Sequence, residues 1–314
     1  MAPVWDLDPV LFSAPSLGLA VRYYGLIFSI VFLGGFLLFR WRTLKTGGDE
    51  GQAYDVIIPG FIGLLVGARL GHVLFYNLDY LKRDPWWIFK VWEGGLTSHG
   101  AAIGLILAMW WYARRHKLPF LLCADRFSFS AALGASLVRL GNFLNSEIVG
   151  KVTDAFWAVR FPRYDNLPPD LTPPRYPSQL VEFAMGLGVL GILFAADRRL
   201  GPKAKPQGVL TALFLLSYFT GRFLVEFLKE RQGPTDNLLL SRGQILSLPG
   251  ILAGLILLVY LLRKKPALAD SDEDKAPILG GLAKNASSPD GANSMAISPK
   301  RTKAAKSQGR KKRH

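Results

Sequence analysis

The chain has 314 residues, of which 50% are hydrophobic and 19% are charged, and its formal net charge is +15. So high an apolar fraction beside so many charges excludes an average soluble composition and indicates that the two kinds of residue are segregated along the chain. The single cysteine, Cys123, excludes an internal disulfide and a cysteine-based metal cluster, and its apolar neighbours predict a packed thiol.

The first residues, MAPVWDLDPVLF, are acidic and aromatic, and no basic leader with a cleavage site precedes the first apolar stretch. No removable signal peptide is therefore predicted. Apolar stretches of membrane-spanning length, about 20 residues, then recur along the chain. They predict seven helices at residues 18–39, 54–76, 97–114, 119–140, 178–196, 208–228 and 243–262. The expected fold is an all-α polytopic membrane protein with about seven transmembrane helices and a small extracytoplasmic loop or head region.

The connections between these helices alternate in charge. One set is short and densely basic, reading RWRTLK, RRHK, DRRLGPKAK and RKK, whereas the other set is longer and mixed in sign. Basic loops remain on the cytoplasmic side of a membrane. The pattern predicts an extracytoplasmic N-terminus and a cytoplasmic C-terminus.

The last segment, residues 266–314, has a different composition from residues 1–265. Its apolar content is too low to offset the entropy of ordering, so a disordered basic cytoplasmic tail is predicted after a transmembrane domain at residues 1–265. The terminal RKKRH has two interpretations: a solubilising or simply tolerated tail, which is favoured, and a segment attracted to anionic lipid head groups. Nothing aromatic or folded accompanies it, so no nucleic-acid partner is expected.

Ionisable residues inside membrane helices are costly, and they usually face a cavity or a partner. Arg69 lies inside the second predicted helix, and His99 opens the third within GGLTSHGAAIG. In that motif Gly100 and Gly104 form a small-xxx-small pair that lets another helix approach closely. The two glycines at 94 and 95 permit an irregular entry into the helix.

Two further groups of polar residues stand on predicted helices. Arg139, Asn142, Asn145 and Glu147 follow an apolar run in RLGNFLNSEIVG. Tyr218, Arg222 and Glu226 are spaced so that they share one stripe of the sixth helix. That stripe has two interpretations, an internal Arg222–Glu226 ion pair that packs the bundle or the wall of a site.

The histidines fit no metal-ligand spacing, no aspartate-rich metal motif appears, and no phosphate-binding GxxxxGK[ST] loop is present. No metal and no cofactor are therefore predicted. Arginine forks bind phosphate oxygens with two hydrogen bonds, which indicates a membrane site for an anionic phosphate head group. A transporter or lipid-handling protein without chemistry remains the alternative, since intramembrane charges suit that class too.

Seven motifs in order, from DPVLF at residues 8–12 to the last helix, resemble those of the prolipoprotein diacylglyceryl transferase family. They are YYGL (23–26), GARLGHVLFYN (67–77), WEGGLTSHGAAIG (92–104), RLGNFLNSEIVG (139–150), YPSQLVEF (176–183), GRFLVEF (221–227) and GQILSLP (243–249). The stretch RLGNFLNSEIVG looks like the signature of the family.

The resemblance implies a multi-pass transferase of the bacterial inner, or cytoplasmic, membrane that acts in lipoprotein biosynthesis. Such an enzyme moves the diacylglyceryl group of phosphatidylglycerol to the lipobox cysteine thiol in the signal peptide of a prolipoprotein. The products are a thioether and glycerol phosphate.

Carried over position by position, the resemblance implies that His99, Arg139 and Arg222 are catalytic. The substrate-binding residues implied beside Arg139 are Tyr24, Arg69, Asn142, Glu147, Gln179, Tyr218 and Glu226. The chain departs from the family pattern HPSQLYE, because Tyr176 and Val181 stand where that pattern has histidine and tyrosine. This departure argues against indispensable roles for those two side chains.

Overall fold

A computed structural model of the chain describes residues 2–14, 16, 19–90, 94–201, 206–230 and 239–263. These residues belong to one compact unit, Met1–Lys265. The predicted disordered tail, residues 266–314, lies outside the described residues.

The structure is mainly helical. In chain order the strands and α-helices are β1 (Val10–Ala14), β2 (Leu19–Arg22), α1 (Tyr23–Lys45), α2 (Glu50–Tyr54), α3 (Ile57–Tyr76), α4 (Leu78–Arg83), α5 (Ser98–Arg115), α6 (Phe120–Leu144), β3 (Val159–Arg160), α7 (Pro162–Asp165), β4 (Pro174–Arg175), α8 (Ser178–Leu200), α9 (Val209–Val225) and α10 (Arg242–Arg263). Short 3₁₀ turns follow α4 at Pro85–Phe89 and α9 at Glu226–Leu228.

Six helical segments of the described chain are long and apolar enough to cross a membrane, which confirms the predicted polytopic membrane fold. The predicted count of seven is not confirmed, because α5 is not among the six. This helix opens with Ser98 and His99 and closes with two arginines, so its 18 residues have a lower mean hydropathy than a membrane span of that length requires.

The predicted start of the first helix is wrong by several residues. Residues 19–22 belong to β2, which pairs antiparallel with β1 through Ala14 opposite Leu19 and Val10 opposite Arg22. Apolar side chains suit a strand as well as a helix, and only the pairing with β1 distinguishes the two here.

Helices α3 and α5 pack along their length through the predicted small residues. A Cβ atom on Gly67 would lie 2.8 Å from the Cα of Gly104, and one on Gly71 would lie 2.7 Å from the Cα of Gly100. The predicted close approach is confirmed, and its partner is α3. The irregular entry is confirmed as well, since Gly94 and Gly95 have φ values of +85° and +77°.

The other long helices pack in the spatial order α1, α6, α8, α9 and α10. A core of Phe129 and Ala132 from α6, Val189 and Leu193 from α8, and Leu210 from α9 joins the middle three. Cys123 is fully buried against α1 and α5, which confirms the predicted packed thiol.

The bundle has a head end, where α6 finishes and α8 begins. The head segment, residues 145–177, connects these two helices and contains the antiparallel pair β3–β4. Trp5 anchors the N-terminal residues to this end. Its backbone N–H donates a hydrogen bond to the carbonyl of Arg160, and its indole N–H donates a 2.9 Å hydrogen bond to the carbonyl of Phe143. At the opposite end, Asp197 pairs with Arg42 and Lys45 at 2.9 Å each.

Candidate active site

The stretch after α6 forms a tight polar loop at the head end. Ser146 and Ile148 adopt left-handed backbone conformations, with φ values of +56° and +55°. A β-branched residue rarely accepts this conformation, so the surrounding contacts must hold the loop in place. The two strained residues flank Glu147, whose carboxylate accepts hydrogen bonds from the amides of Asn142 (3.3 Å) and Asn145 (3.1 Å).

The first turn of α8 donates hydrogen bonds to the backbone of this loop. Ser178 donates to the carbonyl of Ile148 at 3.1 Å, and the Gln179 amide donates to the carbonyl of Glu147 at 2.7 Å. Gln179 is fully buried. In the described structure its amide therefore fixes the backbone of the predicted signature stretch.

One turn further along α8, the Glu182 carboxylate is the centre of a charge cluster. It lies 3.4 Å from Arg139 Nε, 3.8 Å from Arg222 Nη1 and 2.9 Å from Lys229 Nζ. The Glu182 side chain is only 1% exposed. A buried carboxylate requires partners, and here three cations from α6, α9 and the residues after α9 surround it.

The two arginines hold this carboxylate loosely. Strong arginine–carboxylate pairs have N–O distances of about 2.7–2.9 Å and are frequently bidentate. Arg175 in the head segment makes such a pair with Asp165, at 2.6 and 3.0 Å. Arg139 and Arg222 approach Glu182 only to 3.4 and 3.8 Å. Their forks therefore retain capacity for a further anion.

Lys229 reaches the cluster because its backbone is tied to the end of the signature stretch. Residues Gly150 and Lys229 form an antiparallel bridge, and the Lys151 N–H donates to the carbonyl of Leu228. A Cβ on Gly150 would lie 2.5 Å from the carbonyl oxygen of Tyr176, so no larger residue fits there. Burial lowers the pKa of the Lys229 ammonium below its ordinary value of 10.5, and the nearby Glu182 carboxylate opposes this shift.

The proposed ion pair between Arg222 and Glu226 does not form within the described structure. The α-helix ends at Val225, and the chain tightens into a 3₁₀ turn from Glu226. That change in winding turns Glu226 toward Lys229, 3.4 Å away, while Arg222 points to Glu182. The Glu226 carboxylate also fills the space above Gly243 at the start of α10, where a Cβ would collide with it.

Two tyrosines complete the surroundings of Arg139. The Tyr218 hydroxyl lies close enough to interact with its guanidinium group. Tyr24 on α1 lies close enough to interact with Asn142, whose side-chain oxygen accepts a 3.3 Å bond from Arg139. One connected network thus contains these predicted site residues: Tyr24, Arg139, Asn142, Glu147, Gln179, Tyr218, Arg222 and Glu226.

His99 stands apart from that network. It lies in the first turn of α5 at the head end, with its ring centroid 5.2 Å from that of Phe75 and 5.9 Å from that of Tyr76. Among the residues that the structure describes, no hydrogen bond or ion pair joins His99 to the arginines.

Arg69 also lies outside the network. Its guanidinium donates to the backbone carbonyls of Trp87 (2.6 Å) and Ile88 (3.0 Å) and to that of Gly94, and it stacks 4.3 Å from the Trp87 ring centroid. These contacts anchor the segment that leads into His99. Arg69 is 3% exposed, so its contacts in the described structure are with this segment.

Glu182 and Lys229 are not among the predicted site residues. Glu182 carried a signal, because it is an acid within an apolar membrane helix and such residues usually mark a site. Lys229 had no comparable signal, because it follows the sixth predicted helix and enters the cluster only through the bridge to Gly150.

Comparison with known proteins agrees with the predicted resemblance. The family model of prolipoprotein diacylglyceryl transferase matches residues 9–260. A phosphatidylglycerol–prolipoprotein diacylglyceryl transferase of Vibrio cholerae serotype O1 is 41% identical over 259 residues, covering 81% of this chain and 92% of the relative. Proteins of the same name from Tolumonas auensis (40% identity, 83% and 98% covered) and Pseudoalteromonas atlantica (38% identity, 82% and 91% covered) are also similar. The chain belongs to the prolipoprotein diacylglyceryl transferase family.

Proposed function

We propose that this protein transfers the diacylglyceryl group of phosphatidylglycerol to the lipobox cysteine thiol of a bacterial prolipoprotein, which is the first step of lipoprotein maturation. The observation that carries the proposal is the convergence of Arg139 and Arg222 on a buried carboxylate at distances that leave their forks available. Family membership supplies the reaction, and this cluster supplies a place for the phosphate.

In the proposed reaction a sulfur–carbon bond forms and a carbon–oxygen bond breaks. The cysteine thiolate attacks the glyceryl carbon that carries the phosphate, and the glycerol phosphate oxygen leaves with the bonding electrons. The thiol proton goes to His99 and then to water. Arg139 and Arg222 bind the phosphate oxygens and stabilise the negative charge that accumulates as the bond breaks.

The thiol requires such help because a thiol is a poor nucleophile compared with a thiolate. A free cysteine has a pKa of about 8.5, so only a small fraction is ionised at neutral pH. A base at the first turn of α5 and the cations of the cluster both favour ionisation. Arg69 contributes by fixing the segment before His99.

We place the head end on the extracytoplasmic side of the bacterial inner membrane. The helix ends on the opposite side are basic, as expected of a cytoplasmic face: α1 finishes with Arg42 and Lys45, α5 with Arg114 and Arg115, and α8 with Arg198 and Arg199. With the site at the outer face, it meets both outer-leaflet phosphatidylglycerol and the cysteine of an exported signal peptide.

Product analysis tests the proposal. Purified protein, phosphatidylglycerol and a lipobox peptide should give glycerol phosphate and a thioether lipopeptide in equal amounts. A peptide with serine in place of the lipobox cysteine is the matched control and should give neither product. Binding or movement of phosphatidylglycerol without either product would favour the transporter alternative.

A further inference from the structure

The cluster contains its own negative charge, the Glu182 carboxylate, at the point where the two arginine side chains converge. The Glu182 side chain is 1% exposed, and its Oε2 atom makes no hydrogen bond among the described residues although Arg139 is its neighbour. The closest partner of the other oxygen, Oε1, is Lys229 at 2.9 Å. Glu182 therefore neutralises cations without saturating them.

Among the described residues, the charges within ion-pair distance of one another leave the cluster singly positive. Arg139, Arg222 and Lys229 contribute three positive charges, and Glu182 and Glu226 contribute two negative charges. Glu147 lies one step outside, joined to Arg139 through Asn142. Such a site neutralises one negative charge of a bound ligand, and a second negative charge on that ligand would remain without a counter-charge in a buried environment.

We propose that Glu182 is a resident counter-anion whose charge sets this site to hold a singly charged phosphodiester and to release a doubly charged phosphomonoester. The inference rests on the proposed function and adds a role for a residue outside the predicted set. Phosphatidylglycerol carries one negative charge on its phosphate. The departing glycerol phosphate carries up to two at neutral pH, because the second pKa of a phosphate monoester is about 6.

The consequence concerns product release. With Glu182 ionised, the second charge of glycerol phosphate faces a carboxylate as well as the cations, so the product is held weakly and departs. Removing the carboxylate charge makes the cluster doubly positive and suited to the dianion. Chemistry would then continue for one turnover, and release would become the slow step.

The test compares wild type with Glu182→Gln in detergent. Calorimetry measures the dissociation constant of glycerol phosphate, and rapid-quench kinetics measures the first and later turnovers. Glu182→Gln should bind glycerol phosphate at least about tenfold more tightly, since it removes a unit charge at contact distance. It should also show a burst of product followed by slow turnover. A folded Glu182→Gln that binds glycerol phosphate no more tightly overturns the inference.

Two further variants keep the test decisive. Lys229→Gln should weaken glycerol phosphate binding about tenfold, and unchanged binding in this variant counts against the charge balance. Asp197→Asn is the matched control, because Asp197 is another 1% exposed carboxylate with two cations, at the opposite end of the bundle. It should leave glycerol phosphate affinity unchanged, and a gain there would overturn the local role of Glu182. If the wild-type protein makes no product, the proposed function itself fails, which is a separate outcome.

Discussion

At the scale of single residues, the site depends on how many donors one side chain can present. Arg139 contacts Glu182 through Nε at 3.4 Å and donates to Asn142 through Nη1 at 3.3 Å, and the Tyr218 hydroxyl lies nearby. A lysine ammonium is one point charge and cannot reproduce a planar fork that spans several partners. The arrangement therefore requires arginine specifically, beyond a positive charge.

Arg139→Lys tests this requirement. We expect kcat/KM for phosphatidylglycerol to fall by about 100-fold, because the two-pronged contact with the phosphate is lost. Arg40→Lys is the matched control, since Arg40 makes an exposed pair with Glu50 at the opposite end. Near-normal turnover of the Arg139→Lys protein would mean that a point charge suffices.

His99→Gln tests the proposed base. Glutamine keeps a hydrogen-bonding group but removes basicity, so turnover should fall by about 10²–10⁴-fold while phosphatidylglycerol still binds. Raising the pH toward the thiol pKa, about 8.5, should restore part of the loss because hydroxide then supplies the thiolate. His116→Gln, at the opposite end beside Asp55, serves as the control. Loss of lipid binding in His99→Gln would instead place His99 in head-group recognition.

At the scale of helices, composition predicts most of the elements but few of their contacts. Membrane helices need about 20 apolar residues, and this requirement alone locates α3, α6, α8, α9 and α10. The strand β2 is predicted as part of the first helix, because its apolar residues fit a helix pattern equally well. The Arg222–Glu226 ion pair, one of the two interpretations of the polar stripe on the sixth predicted helix, does not form in the described structure because the helix tightens at Glu226, a change that spacing rules do not foresee.

The same limit applies to the site. Its charged residues stand out because charge within a membrane helix is costly, and the family motifs add uncharged residues such as Tyr24 and Gln179. Together these two sources predict eight residues that lie in one network. Their partners are not predictable, because the backbone bridge between Gly150 and Lys229 joins segments that are far apart in the chain. Arg69 is a predicted site residue but lies outside the network, because its buried guanidinium donates to backbone carbonyls at 2.6 and 3.0 Å.

Gly104→Ala tests the contact between α3 and α5. An added Cβ would lie 3.0 Å from the Cα of Gly67 and closer still to the carbonyl of Gly63. Overpacking of this kind destabilises by about 1–3 kcal/mol, so the thermal midpoint in detergent should fall. Gly60→Ala is the matched control on α3, since nothing lies within 4 Å of its Cβ position. Equal midpoints for the two variants would show that the helix pair separates readily.

At the scale of the whole molecule, buried charge is concentrated at the two ends of an apolar bundle. The head end holds the Glu182 cluster, where the arginines are loosely paired, and the opposite end holds Asp197 between Arg42 and Lys45 at 2.9 Å. The tight pairs at the opposite end suit a structural fastening of α1 to α8. The loose pairs at the head end suit exchange with a substrate.

Truncation after Lys265 tests whether the transmembrane unit is sufficient for catalysis. Every residue of the site network lies between Tyr24 and Lys229, and the family match ends at residue 260. The truncated protein should therefore retain turnover within about twofold in detergent, where no lipid surface is present for the tail to bind. In anionic vesicles the basic RKKRH end adds an attraction of about 1 kcal/mol per charge near the surface, so a difference between the two proteins should appear only there and should fade with added salt. A large loss of turnover in detergent, at normal protein yield, would mean that the tail reaches the site.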